Sequence, residues 1–90
     1  MARFYFHLDE DGSIVEDFEG IDLLDLAAAR ASALQAARGI MAHDIEQGRL
    51  SLSTYIAIAD ADGRYLEQLV FRDAVVITCI SEDGPGSSGD

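Results

Sequence analysis

One long amphipathic segment constrains the fold of this chain more than any other feature. The stretch from Leu23 to Glu46 is rich in alanine, and its apolar residues recur every three or four positions. That period is typical of a helix that buries one face. The predicted apolar stripe consists of Leu23, Ala27, Leu34, Ala37, Met41 and Ile45.

Arg30 interrupts the predicted stripe, because at about 100° per residue it falls among the apolar positions. A guanidinium there must extend past the stripe to water or pair with a carboxylate. We expect a buried ion pair with Asp17 or Asp22, since the preceding strand leads directly into the helix. Such a pair would lock the hairpin onto the helix, or it would form an anion-binding pocket. The first interpretation is favoured, because most buried charges are simply paired.

Alternating apolar and polar residues predict strands on both sides of the helix. Two acidic turns that end in glycine, at residues 9–12 and 60–63, join them into hairpins. The predicted strands cover residues 3–8, 13–18, 50–59 and 64–71. Residues 74–80 are again apolar and β-branched, so they continue the last strand or add a short fifth one. The expected core contains Phe4, Phe6, Leu34, Met41, Ile56 and Ile58.

The predicted fold is therefore α+β, in the order ββαββ, with one helix packed on an antiparallel sheet of about four strands. Residues 1–80 form the single domain. Residues 81–90, rich in glycine and serine, form a flexible acidic tail.

One face of this sheet is expected to lack a covering layer, because a single helix covers only the other. The uncovered face carries Tyr5, His7 and Tyr55 among small residues. A partly apolar, uncovered sheet face often becomes a protein contact. We therefore expect an interaction face there, and a homodimer as its simplest use.

The net charge of −11, from 6 basic and 17 acidic residues, limits the classes of partner. Residues 9–25 contain eight acids and no Lys or Arg. This field repels the phosphates of nucleic acids and of anionic membranes, so neither is an expected partner of the chain on its own. It attracts a basic protein. No secretory signal or membrane-spanning run is recognisable, so the expected location is the cytoplasm.

The sequence offers no recognisable set of catalytic or metal-binding residues. His7 and His43 do not occur in a metal-binding spacing, and the lone Cys79 cannot form a CxxC site. The two acidic turns lack the glutamate that closes an EF-hand loop. We therefore predict a protein that is not an enzyme and holds no cofactor or metal. A small enzyme or ligand-binding domain that uses Arg30 and a carboxylate is the alternative.

Several short motifs occur in a specific order along residues 2–78. They are Arg-Phe-Tyr-Phe-His-Leu, Glu-Asp-Phe-Glu-Gly, Asp-Leu-Ala-Ala-Ala-Arg, Asp-Gly-Arg and Val-Phe-Arg-Asp-Ala-Val. In this order they resemble domain of unknown function 6894, a family of small bacterial proteins. The resemblance implies no activity, so the leading hypothesis is a small non-catalytic interaction module.

The ββα opening is also similar to the core of HicB-type antitoxins, at the level of the fold alone. That similarity implies a second function, an acidic binder of a basic ribonuclease toxin whose acidic loops mimic nucleic-acid phosphates.

Overall fold

The computed structural model describes residues 1–79 and contains one helix packed on an antiparallel sheet of five strands. The predicted α+β class is confirmed. The elements in chain order are β1 (Ala2–Glu10), β2 (Ser13–Val15), β3 (Ile21–Leu23), α1 (Leu26–Glu46), β4 (Tyr55–Ala59), β5 (Tyr65–Val70) and a 3-10 helix (Phe71–Ala74). The predicted tail, residues 81–90, lies outside the described residues.

β1 is the strand on which the sheet is built, because it pairs with three others. The order is β2-β1-β4-β5, and β3 pairs with the end of β1 that β2 leaves free. All pairings are antiparallel. The second predicted strand, residues 13–18, ends at Val15, and the short strand β3, which was not predicted, follows after residues 16–20. The third, residues 50–59, is a strand only from Tyr55 onward.

The helix begins three residues later than predicted, because residues 21–23 pair with β1 as a strand. The carboxylate of Asp25 accepts a hydrogen bond from the backbone N–H of Ala28 at 2.9 Å and caps the first turn. At the other end the chain leaves the helix through Gly48, whose φ of 87° lies in the region that glycine tolerates.

Alanines at every fourth position form the face of α1 that contacts the sheet. Ala29, Ala33 and Ala37 are fully buried, and Met41 continues the row. Of the predicted stripe, Ala37 and Met41 belong to this row, whereas Ala27 is exposed and Ile45 is 59% exposed, so the prediction was wrong in phase at both ends. A row of methyl groups lets the helix axis approach the sheet closely, which longer side chains in the same row would prevent.

The predicted core is confirmed. Phe4, Met41, Ile56 and Ile58 are buried in one cluster, and Phe6 and Leu34 pack against it. Phe71 and Ala74 of the 3-10 helix complete the cluster.

The predicted strand over residues 74–80 does not form in the described part of that segment. Instead the chain turns after β5 into the 3-10 helix. The N–H groups of Phe71 and Arg72 donate to the carbonyl oxygens of Thr54 and Leu52 at 2.8 and 3.1 Å. These bonds attach the 3-10 helix to the segment before β4.

The close helix–sheet contact gives a direct test of the alanine row. Ala37→Leu should lower the free energy of unfolding by about 1–3 kcal/mol, because the added atoms have no space against the sheet. Ala36→Leu adds the same atoms at the exposed neighbouring position and should change it by less than about 0.5 kcal/mol. Urea unfolding of both variants measures the difference. Equal effects would show that the helix does not contact the sheet through this row.

Candidate functional site

Arg30 joins the helix to the last strand of the sheet. Its Nε and Nη2 atoms donate to the two carboxylate oxygens of Glu67, each at 2.6 Å. Glu67 pairs across the sheet with the buried Ile58, so it lies on the helix side. The hydrogen bonds from Arg30 lower the pKa of the Glu67 carboxyl below its usual value, although partial burial opposes this.

The prediction that Arg30 pairs with Asp17 or Asp22 is wrong, because both carboxylates are hydrogen-bonded to other groups. The Arg30 side chain is 49% exposed, so the ion pair is also not buried. The reason is the phase of the helix. Arg30 follows the buried Ala29, which places it on the flank of the contact face that lies towards β5.

Asp22 pairs with Arg3 across the β1–β3 ladder. The Nε and Nη2 atoms of Arg3 donate to its two carboxylate oxygens at 2.9 and 3.0 Å. The remaining Nη1 atom donates to the carbonyl oxygen of Glu19 at 2.7 Å. This fork therefore fixes the short strand β3 to the beginning of β1.

Asp17 organises the gap between β2 and β3. Its carboxylate accepts hydrogen bonds from the backbone N–H groups of Phe6, Glu19 and Gly20, each at 3.1 Å. Burial raises the pKa of this carboxyl, but the three hydrogen bonds outweigh it and leave the pKa below its usual value. The Asp17 N–H in turn donates to Nδ1 of His7 at 3.0 Å. A single side chain thus satisfies the ladder position that neither strand reaches.

Gly20 closes this segment against β1 in a position that only glycine fits. Its φ is 70°, and a Cβ there would lie 2.9 Å from Cγ of Arg3, from the carbonyl oxygen of Phe4 and from the ring of Tyr5. The segment 16–20 therefore packs directly beside Tyr5.

The three predicted interaction residues lie on the sheet face opposite α1, which we call the open face. Its members follow from the register, because cross-strand partners point to the same side. Asp9 pairs with Tyr55, and His7 with Ala57. The open face comprises Tyr5, His7, Asp9, Tyr55, Ala57, Ala59, Tyr65, Gln68 and Val70.

Tyr65 is a member of this face that the sequence pattern missed. Strict alternation along β5 would place it with Glu67 on the helix side. A register shift between Ile58 and Ala59 leaves Leu66 as an extra residue and turns Tyr65 to the open face. Its ring then meets that of His7 edge to face, with the centroids 6.1 Å apart.

A groove of about 380 Å³ crosses the open face. Ala57 lies in its middle, and its single methyl group leaves room between the larger side chains His7, Tyr55 and Tyr65. The Tyr55 hydroxyl donates to Oδ2 of Asp9 at 2.8 Å. This hydrogen bond, with burial and the charge of Asp9, raises the pKa of Tyr55, so the Tyr55 phenol stays neutral beside the Asp9 carboxylate.

The side chains that line the groove are of types that bind a ligand through apolar, aromatic and charged contacts. Within residues 1–79, no three His, Cys, Asp or Glu side chains are grouped so as to hold a metal ion. In the same part of the chain, no helix has the length and apolar character needed to cross a membrane. The groove instead combines aromatic rings with two acidic residues, Asp9 and the Glu67 that Arg30 holds.

A family model described as "Domain of unknown function (DUF6894)" matches residues 3–72. The chain belongs to this family. The sequence resemblance is thereby confirmed. No curated protein and no solved structure was found to match the DUF6894 chain, and the similarity to the HicB-type core stays a prediction.

Asp17 is expected to stabilise this DUF6894 fold through the N–H groups that it accepts. Asp17→Ala should lower the free energy of unfolding by about 1–3 kcal/mol, because the Phe6 N–H loses its partner in a half-buried position. Glu16→Ala removes the neighbouring exposed carboxylate and is the matched control, with a change below about 0.5 kcal/mol. Chemical denaturation measures both. A similar small effect of the two substitutions would contradict the role of Asp17.

The same carboxylate predicts a pH dependence of stability. Its pKa is lower in the folded than in the unfolded protein, where it is about 3.9. Its contribution is therefore fully present above that value and is lost as the pH falls through the folded pKa. The difference in unfolding free energy between the natural chain and Asp17→Asn should be constant from about pH 6 to 8 and should shrink below about pH 3.9. A constant difference down to about pH 2.5 would refute this linkage.

Proposed function

We propose that this DUF6894 protein is a non-catalytic interaction module that binds a basic segment of another protein on its open face. The observation that carries the proposal is the one-sided sheet. α1 and the 3-10 helix pack on the core side, while the open face presents aromatic rings around a groove. Aromatic side chains with an apolar body and a polar end are favoured at protein contacts.

Charge favours a basic partner. The net charge is −11, and Asp9 lies at the groove itself. The acidic turn formed by Asp9, Glu10 and Asp11 extends from the same end of β1. Such a field accelerates the approach of a positively charged segment and selects against acidic ones.

Self-association through the open face is the second candidate, and the uncovered aromatic surface favours it. Two copies of the chain would bring two negative fields together, so the contact must gain more from apolar burial than it loses by repulsion. Light scattering at high protein concentration separates the two cases. A dimer that is strengthened by salt supports self-association, whereas a monomer leaves the open face available to another protein.

Binding of a basic peptide tests the leading candidate. A peptide of about twelve residues, in which Arg and Lys alternate with Ser and Gly, should shift the amide signals of the open face in NMR spectra. Tyr65→Ala should weaken binding by about tenfold or more. Leu24→Ala, at an exposed position away from the sheet face, is the control and should leave affinity within about twofold. Shifts spread evenly over all acidic residues, with no effect of Tyr65→Ala, would refute the open face as the binding surface.

A further inference from the structure

We propose that the groove on the open face is a binding site for one arginine side chain of the partner, held by Asp9 and by the rings of Tyr55, Tyr65 and His7. This inference rests on the proposed function and names the group that the face recognises.

The aromatic walls suit a flat cation. A guanidinium is planar, stacks on tyrosine rings and is attracted by their electron-rich faces. Tyr65 is 70% exposed, so most of its ring is available to a ligand. The edge-to-face contact with His7 holds this ring at the groove although it is exposed.

The groove is deep enough for an arginine side chain because the residue at its floor, Ala57, is small. Ala57 stands between His7 of β1 and Gln68 of β5 in the same row of the sheet. A larger residue at this central position would fill the groove from below. On β4 the large side chains Ile56 and Ile58 point to the core instead.

Asp9 supplies the charge that an arginine requires. One of its oxygens accepts from the Gly12 N–H at 2.9 Å, and the other from the Tyr55 hydroxyl. These two bonds fix the carboxylate, and each oxygen retains a lone pair for a further donor. None of the ion pairs within residues 1–79 involves Asp9.

The arginines of the chain do not occupy this site in the part that the structure describes. Four of them make contacts elsewhere: Arg3 with Asp22, Arg30 with Glu67, Arg38 with the carbonyl oxygen of Ala74, and Arg49 with Asp44. No arginine of residues 1–79 lines the groove or forms an ion pair with Asp9, so the charge of Asp9 is available to a partner.

The test compares three short peptides, Ser-Gly-Xaa-Gly-Ser, in which Xaa is arginine, lysine or citrulline. Binding is followed by NMR through the signals of Tyr55, Tyr65 and His7 in the whole chain. The arginine peptide should shift these signals, the lysine peptide should bind several-fold more weakly, and the citrulline peptide, which lacks the charge, at least tenfold more weakly.

Two variants with the same change of charge localise the effect. Asp9→Asn should weaken the arginine peptide by about tenfold, and its amide still bonds to Gly12 and Tyr55. Asp62→Asn, in the turn beyond the groove, is the matched control and should change affinity by less than about twofold. Tyr65→Leu keeps the apolar bulk without the aromatic face and should also weaken binding. Preserved dispersion of the amide signals confirms that each variant folds.

The outcomes separate this inference from the proposed function. Equal effects of Asp9→Asn and Asp62→Asn, or equal binding of the arginine and citrulline peptides, overturn the arginine site. If the longer basic peptide still shifts the open face, the docking proposal stands without it. If neither the longer nor the short peptides shift the open face, both proposals are wrong.

Discussion

The helix can lie close to the sheet because its contact row consists of alanines at every fourth position. This close approach lets α1 cover Ile56 and Ile58, which are buried on one side of β4. The groove is a consequence of the same alternation, since Ala57 falls between the two isoleucines. The packing of one face and the shape of the other thus have one origin in the central strand.

The acidic residues of the first half of the chain have distinct structural roles. Asp25 caps the helix, Asp22 fixes β3 through Arg3, and Asp17 completes the ladder between β2 and β3. Each meets a hydrogen-bond donor that the backbone or one arginine supplies. Asp9 also accepts hydrogen bonds, from the Gly12 N–H and the Tyr55 hydroxyl, but unlike these three it lies at the groove of the open face, which is why we propose it as a binding residue.

The sequence pattern was sufficient for the fold class, the hairpins and the core, because these depend on periodicity along each element. It also singled out Arg30, but the partner depends on the phase of the helix over the sheet, which an error of one residue turns by about 100°. Tyr65 was missed for a related reason, since one extra residue in β5 exchanges the two faces. Asp17 was recognised as an acid near the helix, whereas its bonds to three N–H groups depend on where strand pairing stops.

The interrupted edge formed by β2 and β3 has a consequence for solubility. An outer strand with a long row of free N–H and C=O groups invites another chain to extend the sheet, which is the first step of aggregation. Here each paired stretch is three residues long, and residues 16–20 stand between them. Ile14, Val15 and Ile21 are exposed along this edge. The interruption that Asp17 stabilises therefore divides this edge into two segments, each too short to pair with a strand of another chain.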